Sequence, residues 1–226
     1  MTLQVVLLAF PGVTQLDLTG PAQVFARLPD AQVAVAAPGG AAVATDCGFS
    51  ILPSHGLDDA PPADLLCVPG GGGVADAIGD DRILDFIIDQ AGGAHYVTSV
   101  CTCAFLLGAV GLLYDRKATT HWGYTHLLEL VGAIHEDARV VVDGNLFTGG
   151  GVTAGIDIAL TVAAEVASEE TAQSIQLVLE YAPAPPFQSG QPSRAPMSVL
   201  QEVRPRYVAA AGRMQAALEA AKERIG

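Results

Sequence analysis

The chain has 226 residues, half of them hydrophobic, and a formal net charge of −13. That length can bury a full core in one domain, and that apolar content excludes a disordered chain. Only 11 Lys and Arg residues are present, with no basic stripe, which argues against a nucleic-acid partner. No apolar run reaches membrane-span length, so no membrane partner is expected. The opening MTLQVVLLAFPG has no basic flank and breaks at Pro11-Gly12, so it reads as a first strand, not a signal peptide. Four cysteines (Cys47, Cys67, Cys101 and Cys103) fit a reducing cytoplasm better than a disulfide framework.

In chain order, Leu3 to Phe10 predicts a strand, Leu18 to Leu28 a helix and Gln32 to Ala37 a second strand. Val43 to Leu52 can hold a short hairpin. Asp64 to Val68 predicts a strand ending in the run PGGGG. Asp80 to Ala91 has helical apolar spacing at Ile83, Leu84, Ile87 and Ile88. Tyr96 to Val100 is a β-branched run that predicts a buried strand, and Ala104 to Val110 an apolar helix. Thr120 is placed to cap a helix over Trp122 to Leu130. Val140 to Val142 and Leu146 to Thr148 flank Asp143-Gly144-Asn145, a hairpin signal. Thr153 to Ala167 and Glu170 to Tyr181 predict two helices. APAPPFQSGQPSRAP is an extended linker. Met197 to Ile225 is helical apart from Pro205, with apolar positions Val208, Met214, Ala217, Leu218 and Ile225 facing either the domain or a second subunit. No internal repeat is present. The alternation predicts an α/β fold, a mainly parallel sheet with helices on both faces, whose functional loops gather at the carboxyl ends of its strands.

Cys101 stands where the strand from Tyr96 becomes the helix from Ala104. A side chain on so tight a turn is pushed clear of the sheet above the free N–H groups of the helix start. Those donors and the helix dipole favour an anion, so Cys101 is expected to have a depressed pKa and to act as a nucleophile. Asp17, in the segment after the first strand, is its candidate partner: a carboxyl near a thiolate is repelled, so one of the two keeps a proton. An N-cap or surface role for Asp17 is the alternative. Gly70 to Gly73 have no side chains to block backbone N–H groups and are candidates for half of an oxyanion site, with the N–H of Thr102 or Cys101 as the other half; a plain flexible turn is the alternative. The Thr102 hydroxyl follows the nucleophile directly and is placed to orient the acid or the substrate. His121 is the rival base, but Gly123 two positions on gives its imidazole no orienting carboxylate, so a structural role is favoured. Cys101 and Cys103 stand too close on one turn for a relaxed disulfide, and no second Cys/His cluster suggests a metal. Cys103 reads as a small packing residue.

The segments FPGVTQLDLTGP, CVPGGGGV, YVTSVCT, KATTHW, DGNLFTGGGVTAGID and LEYAPAPPF together resemble the DJ-1/PfpI superfamily over about residues 3 to 187, and within it the isocyanide hydratases. The resemblance implies a flavodoxin-like three-layer sandwich: one domain over 1–226 with a helical extension from about 197. It also implies a homodimer that uses no metal or organic cofactor and hydrates a small-molecule isocyanide to an N-substituted formamide through a covalent thioimidate. On this resemblance Cys101 is the nucleophile, Asp17 the general acid/base, Thr102 its neighbouring hydroxyl, and Gly71, with Gly72, the oxyanion and substrate contact. Cys103 departs from the usual glycine of that position. Two other readings stand beside it: a glyoxalase-type hydratase of the same superfamily, and a non-enzymatic cysteine redox sensor. Regulators that fuse this domain to two helix-turn-helix motifs need more chain than follows PAPPF here.

Overall fold

The computed structural model describes residues 2–225, with side chains to residue 222. Leu3–Leu8 forms β1, Gln15–Phe25 α1 and Ala31–Ala37 β2. Three two-residue strands follow: β3 (Val43–Ala44), β4 (Ser50–Ile51) and β5 (His55–Gly56). β6 is Leu65–Val68, α2 Val74–Ala77, α3 Asp81–Gly93 and β7 Tyr96–Val100. A 3-10 turn over Cys101–Cys103 leads into α4, Ala104–Ala109. Then come β8 (Lys117–Ala118), β9 (Ile134–His135), β10 (Val140–Asp143) and β11 (Leu146–Gly149). Helices α5 (Ala154–Val166), α6 (Glu169–Val178) and α7 (Met197–Ile225) complete the described chain.

Seven strands form the main sheet in the order β10-β11-β7-β6-β1-β2-β5, parallel except for the β10–β11 hairpin. The hairpin turns on Gly144-Asn145, and Gly144 has φ +58°, a value open to glycine at little cost. All four residues of β6 are buried, as a central parallel strand covered on both faces requires. Helices α1, α5 and α6 pack together on one face, and α2, α3, α4 and α7 on the other, giving three layers. Of the predicted apolar face of α3, Ile83, Leu84 and Ile87 are buried, while Ile88 is half exposed.

Two predicted helices differ from expectation. The segment after Thr120 is a 3-10 helix over Thr125–Val131, and Thr120 does not cap it; its hydroxyl donates elsewhere, to the Cys101 carbonyl at 2.7 Å. Helix α7 runs through Pro205. The proline removes one N–H, and the carbonyl that loses its donor belongs to exposed Gln201, where it is open to water. The helix is held further along by buried Ala211, Met214, Leu218 and Ala221, at spacings of three and four, against α2, α4 and the 125–131 turn of its own chain. Of the predicted apolar positions, Val208 is exposed and the Ile225 side chain lies outside the described ones.

If this docking in cis holds α7, Leu218→Ala should lower stability by about 2–4 kcal/mol through the lost burial and the cavity left behind. Chemical denaturation measures the loss. Amide exchange over 197–222 should quicken, and an unchanged midpoint would refute the docking.

Candidate functional site

Three loops meet at the carboxyl ends of β1, β6 and β7. β1 and β7 are not neighbours, since β6 lies between them and pairs with both. The glycine run after β6 therefore separates the two chemical groups. A methyl added to Gly70 would lie 2.8 Å from both Thr102 N and Val100 O, and 2.9 Å from Asp17 Oδ2. Only a hydrogen atom fits between the acid and the elbow. Gly71 has φ +146°, and its Cβ would meet Gly12 O at 2.4 Å; that of Gly73 would overlap Pro11 O. These glycines let two backbones lie against each other: Thr14 N donates to Gly70 O (2.9 Å) and Gly73 N to Gly12 O (3.2 Å). Close approach, more than flexibility, is what the run provides. A Cβ on Gly72 would meet no atom within 4 Å.

The first turn of α1 carries Asp17, which is fully buried. Asp46, from the β3–β4 hairpin, ties down this helix start by accepting from Thr14 Oγ1 (2.8 Å) and Gln15 N (3.2 Å). Asp17 Oδ2 accepts from Gly70 N at 3.1 Å, and Oδ1 has no hydrogen-bond partner among the described residues. Burial pushes the carboxyl up to about 7, opposed by the Gly70 N–H and, more weakly, by the nearby Cys101 side chain.

Cys101 is 6% exposed and has φ +61°, a rare conformation for a side-chain-bearing residue. Its N–H donates to Gly150 O (2.9 Å) and its carbonyl accepts from Thr120 Oγ1, so the peptide units on both sides of the strained residue are held. The expected depressed thiol is not found. Burial first, and the Asp17 charge second, push Cys101 up, although the N–H groups of Val152 and Thr102 support its thiolate. Of these donors only Thr102 belongs to the helix start that the sequence singles out, and the depth at which the sulfur sits outweighs both. The pair thus resists a second negative charge.

Thr102 Oγ1 accepts from Gly71 N (3.0 Å) and lies 3.3 Å from Gly71 O, to which it is placed to donate. In this geometry the Gly71 N–H serves the threonine. Cys103 does more than fill space: its thiol donates to Val68 O and its sulfur accepts from Val100 N (3.0 Å), bridging the ends of β6 and β7. His121 is buried, and burial holds its imidazole down at about 4, so it stays neutral at physiological pH. Its Nδ1 accepts from Gly123 N at 3.1 Å, and its ring stacks on Tyr207 with centroids 4.7 Å apart. Among the described residues, no group of three or more His, Cys, Asp or Glu is placed to hold a metal ion. Nor is any helix among them long and apolar enough to cross a membrane.

Sequence reasoning gave no role to Val152, Tyr124 or Tyr207. Val152 stands in the glycine-rich segment already singled out, so its N–H was within reach of inference. Tyr207 lies on α7, more than a hundred residues from the elbow, and its neighbourhood carries no motif.

The Asp17 shift has a stability consequence of definite sign. Its folded value, about 7, exceeds the 3.8 of a free carboxyl. The associated stability is therefore fully present below about pH 4 and is lost as pH rises through 7. Asp17→Asn cannot ionise, so it should gain about 2–3 kcal/mol on the native protein between pH 5 and 8, read from denaturation midpoints. Parallel pH responses of the two proteins would contradict the shift.

The comparisons agree with this geometry. Residues 3–165 match the DJ-1/PfpI family. An isonitrile hydratase of Pseudomonas putida is 54% identical over 206 residues, covering 91% of this chain and 90% of the relative. The crystal structure of a ThiJ/PfpI family protein from Pseudomonas syringae superposes with a TM-score of 0.93 at 37% identity, covering 96% of this chain and 91% of that one. Drosophila melanogaster DJ-1beta superposes with a TM-score of 0.70 at 27% identity, covering 81% of this chain and all of that one. The chain belongs to the DJ-1/PfpI family.

Proposed function

We propose that this protein hydrates isocyanides to N-substituted formamides, with Cys101 as nucleophile and Asp17 as general acid/base. The observation that carries the roles is the buried pairing of these two groups across Gly70. The substrate class rests on the 54% identity to an isonitrile hydratase over nine-tenths of both chains. Location in the cytoplasm, a homodimer, and one domain with a helical extension from about 197 belong to the same reading. They rest on the resemblance to that family.

The chemistry follows from a pair that holds one proton. Ionised Asp17 draws the proton from the Cys101 thiol, and the Val152 and Thr102 N–H groups support the resulting thiolate. The sulfur adds to the terminal carbon of R–N≡C while Asp17 returns the proton to that carbon, giving the thioimidate R–N=CH–S–Cys101. Asp17, ionised again, takes a proton from water as its oxygen attacks the same carbon. The nitrogen gains a proton, the C–S bond breaks, and R–NH–CHO leaves with the thiol restored. The sum is R–NC plus water to formamide. Thr102 holds the Gly71 peptide unit beside the elbow, and the substrate contact assigned to Gly71 and Gly72 falls on the open side of the loop at Gly72.

Purified protein given phenyl isocyanide should produce N-phenylformamide. Cys101→Ala should abolish turnover, and Asp17→Asn should lower it by about 10²–10⁴. The value of kcat/KM should rise tenfold per pH unit below about 7 and level off above it, because the pair must shed one of two protons to react. An active Cys101→Ala variant, or turnover of glyoxals without isocyanides, would defeat the reading.

A further inference from the structure

We propose that Tyr207, carried by the C-terminal helix α7, is a specificity-determining residue that selects isocyanides with a flat aromatic substituent. The proposal rests on the hydratase reading above. Tyr207 closes a cluster of four rings. It lies 4.7 Å from His121, 4.8 Å from Trp122 and 5.9 Å from Tyr124 between ring centroids, the last two edge to face. The contact is built tightly, since a methyl on Gly123 would meet Tyr207 Cγ at 2.8 Å.

The cluster is tied to the elbow through its neighbours. Tyr124 packs on Phe105 of α4, the helix that the elbow opens (6.3 Å between centroids). His121 lies on Gly151, where a methyl would meet its Cδ2 at 2.7 Å, and the next residue, Val152, supplies an N–H to Cys101. Thr120, one residue before His121, holds the Cys101 carbonyl. Burial and then the Cys101 charge push up the phenols of Tyr124 and Tyr207, so both feel the nucleophile.

Space is available at this wall. Two cavities share Trp122: one of about 540 Å³ is lined by Thr120, Gly150 and Gly151 beside the elbow, and one of about 400 Å³ by Gly123 and Tyr207. The isocyanide carbon must reach the sulfur, so its nitrogen substituent extends away from the elbow. Rings packed edge to face offer a flat substituent the partners that aromatic groups prefer, and offer a methyl group little. Helix α7 lies beyond residue 165, where the family match ends, so this part of the wall is an addition to the common domain.

The test compares phenyl and methyl isocyanide on three proteins. Tyr207→Leu keeps apolar bulk, and α7 keeps its anchors at Ala211, Met214, Leu218 and Ala221. Its KM for phenyl isocyanide should rise about tenfold, while kcat and the constants for methyl isocyanide stay within twofold. Tyr207→Phe keeps the ring and should match the native protein within twofold on both substrates. Val199→Ala, at an exposed position of the same helix outside both cavities, should change neither and controls for the helix. Equal changes on both substrates in Tyr207→Leu, or an unchanged phenyl-to-methyl ratio, would overturn the proposal. A Tyr207→Phe variant as impaired as the leucine one would also overturn it, by assigning the role to the hydroxyl. Native protein that hydrates neither substrate would instead bring down the hydratase reading.

Discussion

A carboxyl and a thiol share one dry pocket at the carboxyl end of the sheet, and burial lets the pair carry little more than a single negative charge. The surrounding structure can be read as the means of meeting that constraint. The Gly70 N–H supports charge on Asp17, and the Val152 and Thr102 N–H groups support it on the sulfur. No cation is needed to stabilise either form. A proton that passes between two groups of this kind, with matched backbone donors at each end, is what general acid/base assistance to a cysteine requires.

Backbone, more than side chains, holds the pair at its distance. The Pro11–Thr14 loop and the Gly70–Gly73 loop are joined by reciprocal hydrogen bonds, and three of the four glycines admit no Cβ without a clash. The strained φ of Cys101 is held by Gly150 on one side and Thr120 on the other. Cys103 bridges the two strands beneath. Cys103 is thus a further tie between β6 and β7, since its sulfur both donates and accepts.

Much of this was legible in the residues. The β-branched run to Val100 and the apolar helix after Cys103 defined the elbow, and the strand–helix alternation gave the parallel sheet. Elements of two residues, such as β5 and β8, carry no periodicity to detect, and a 3-10 helix over 125–131 mimics the start of an α-helix. Pro205 argued for a break that exposure on that turn made unnecessary. The direction of the Cys101 shift was missed because the local helix start is visible in sequence, whereas burial depth depends on every layer above it. Gly70 shows the same limit: a glycine run announces close approach, but only the order of strands tells what approaches.

The aromatic cover over the elbow comes from a helix that begins at Met197, after every other part of the site in the chain. A nascent protein emerges from the ribosome N-terminus first, and its domains fold as they emerge. The sheet, the Asp17 loop and the Cys101 elbow can therefore form while α7 is still inside the exit tunnel. During that interval the ring cluster of His121, Trp122 and Tyr124 lacks Tyr207, so the wall that selects the substituent is the last part of the site to be completed.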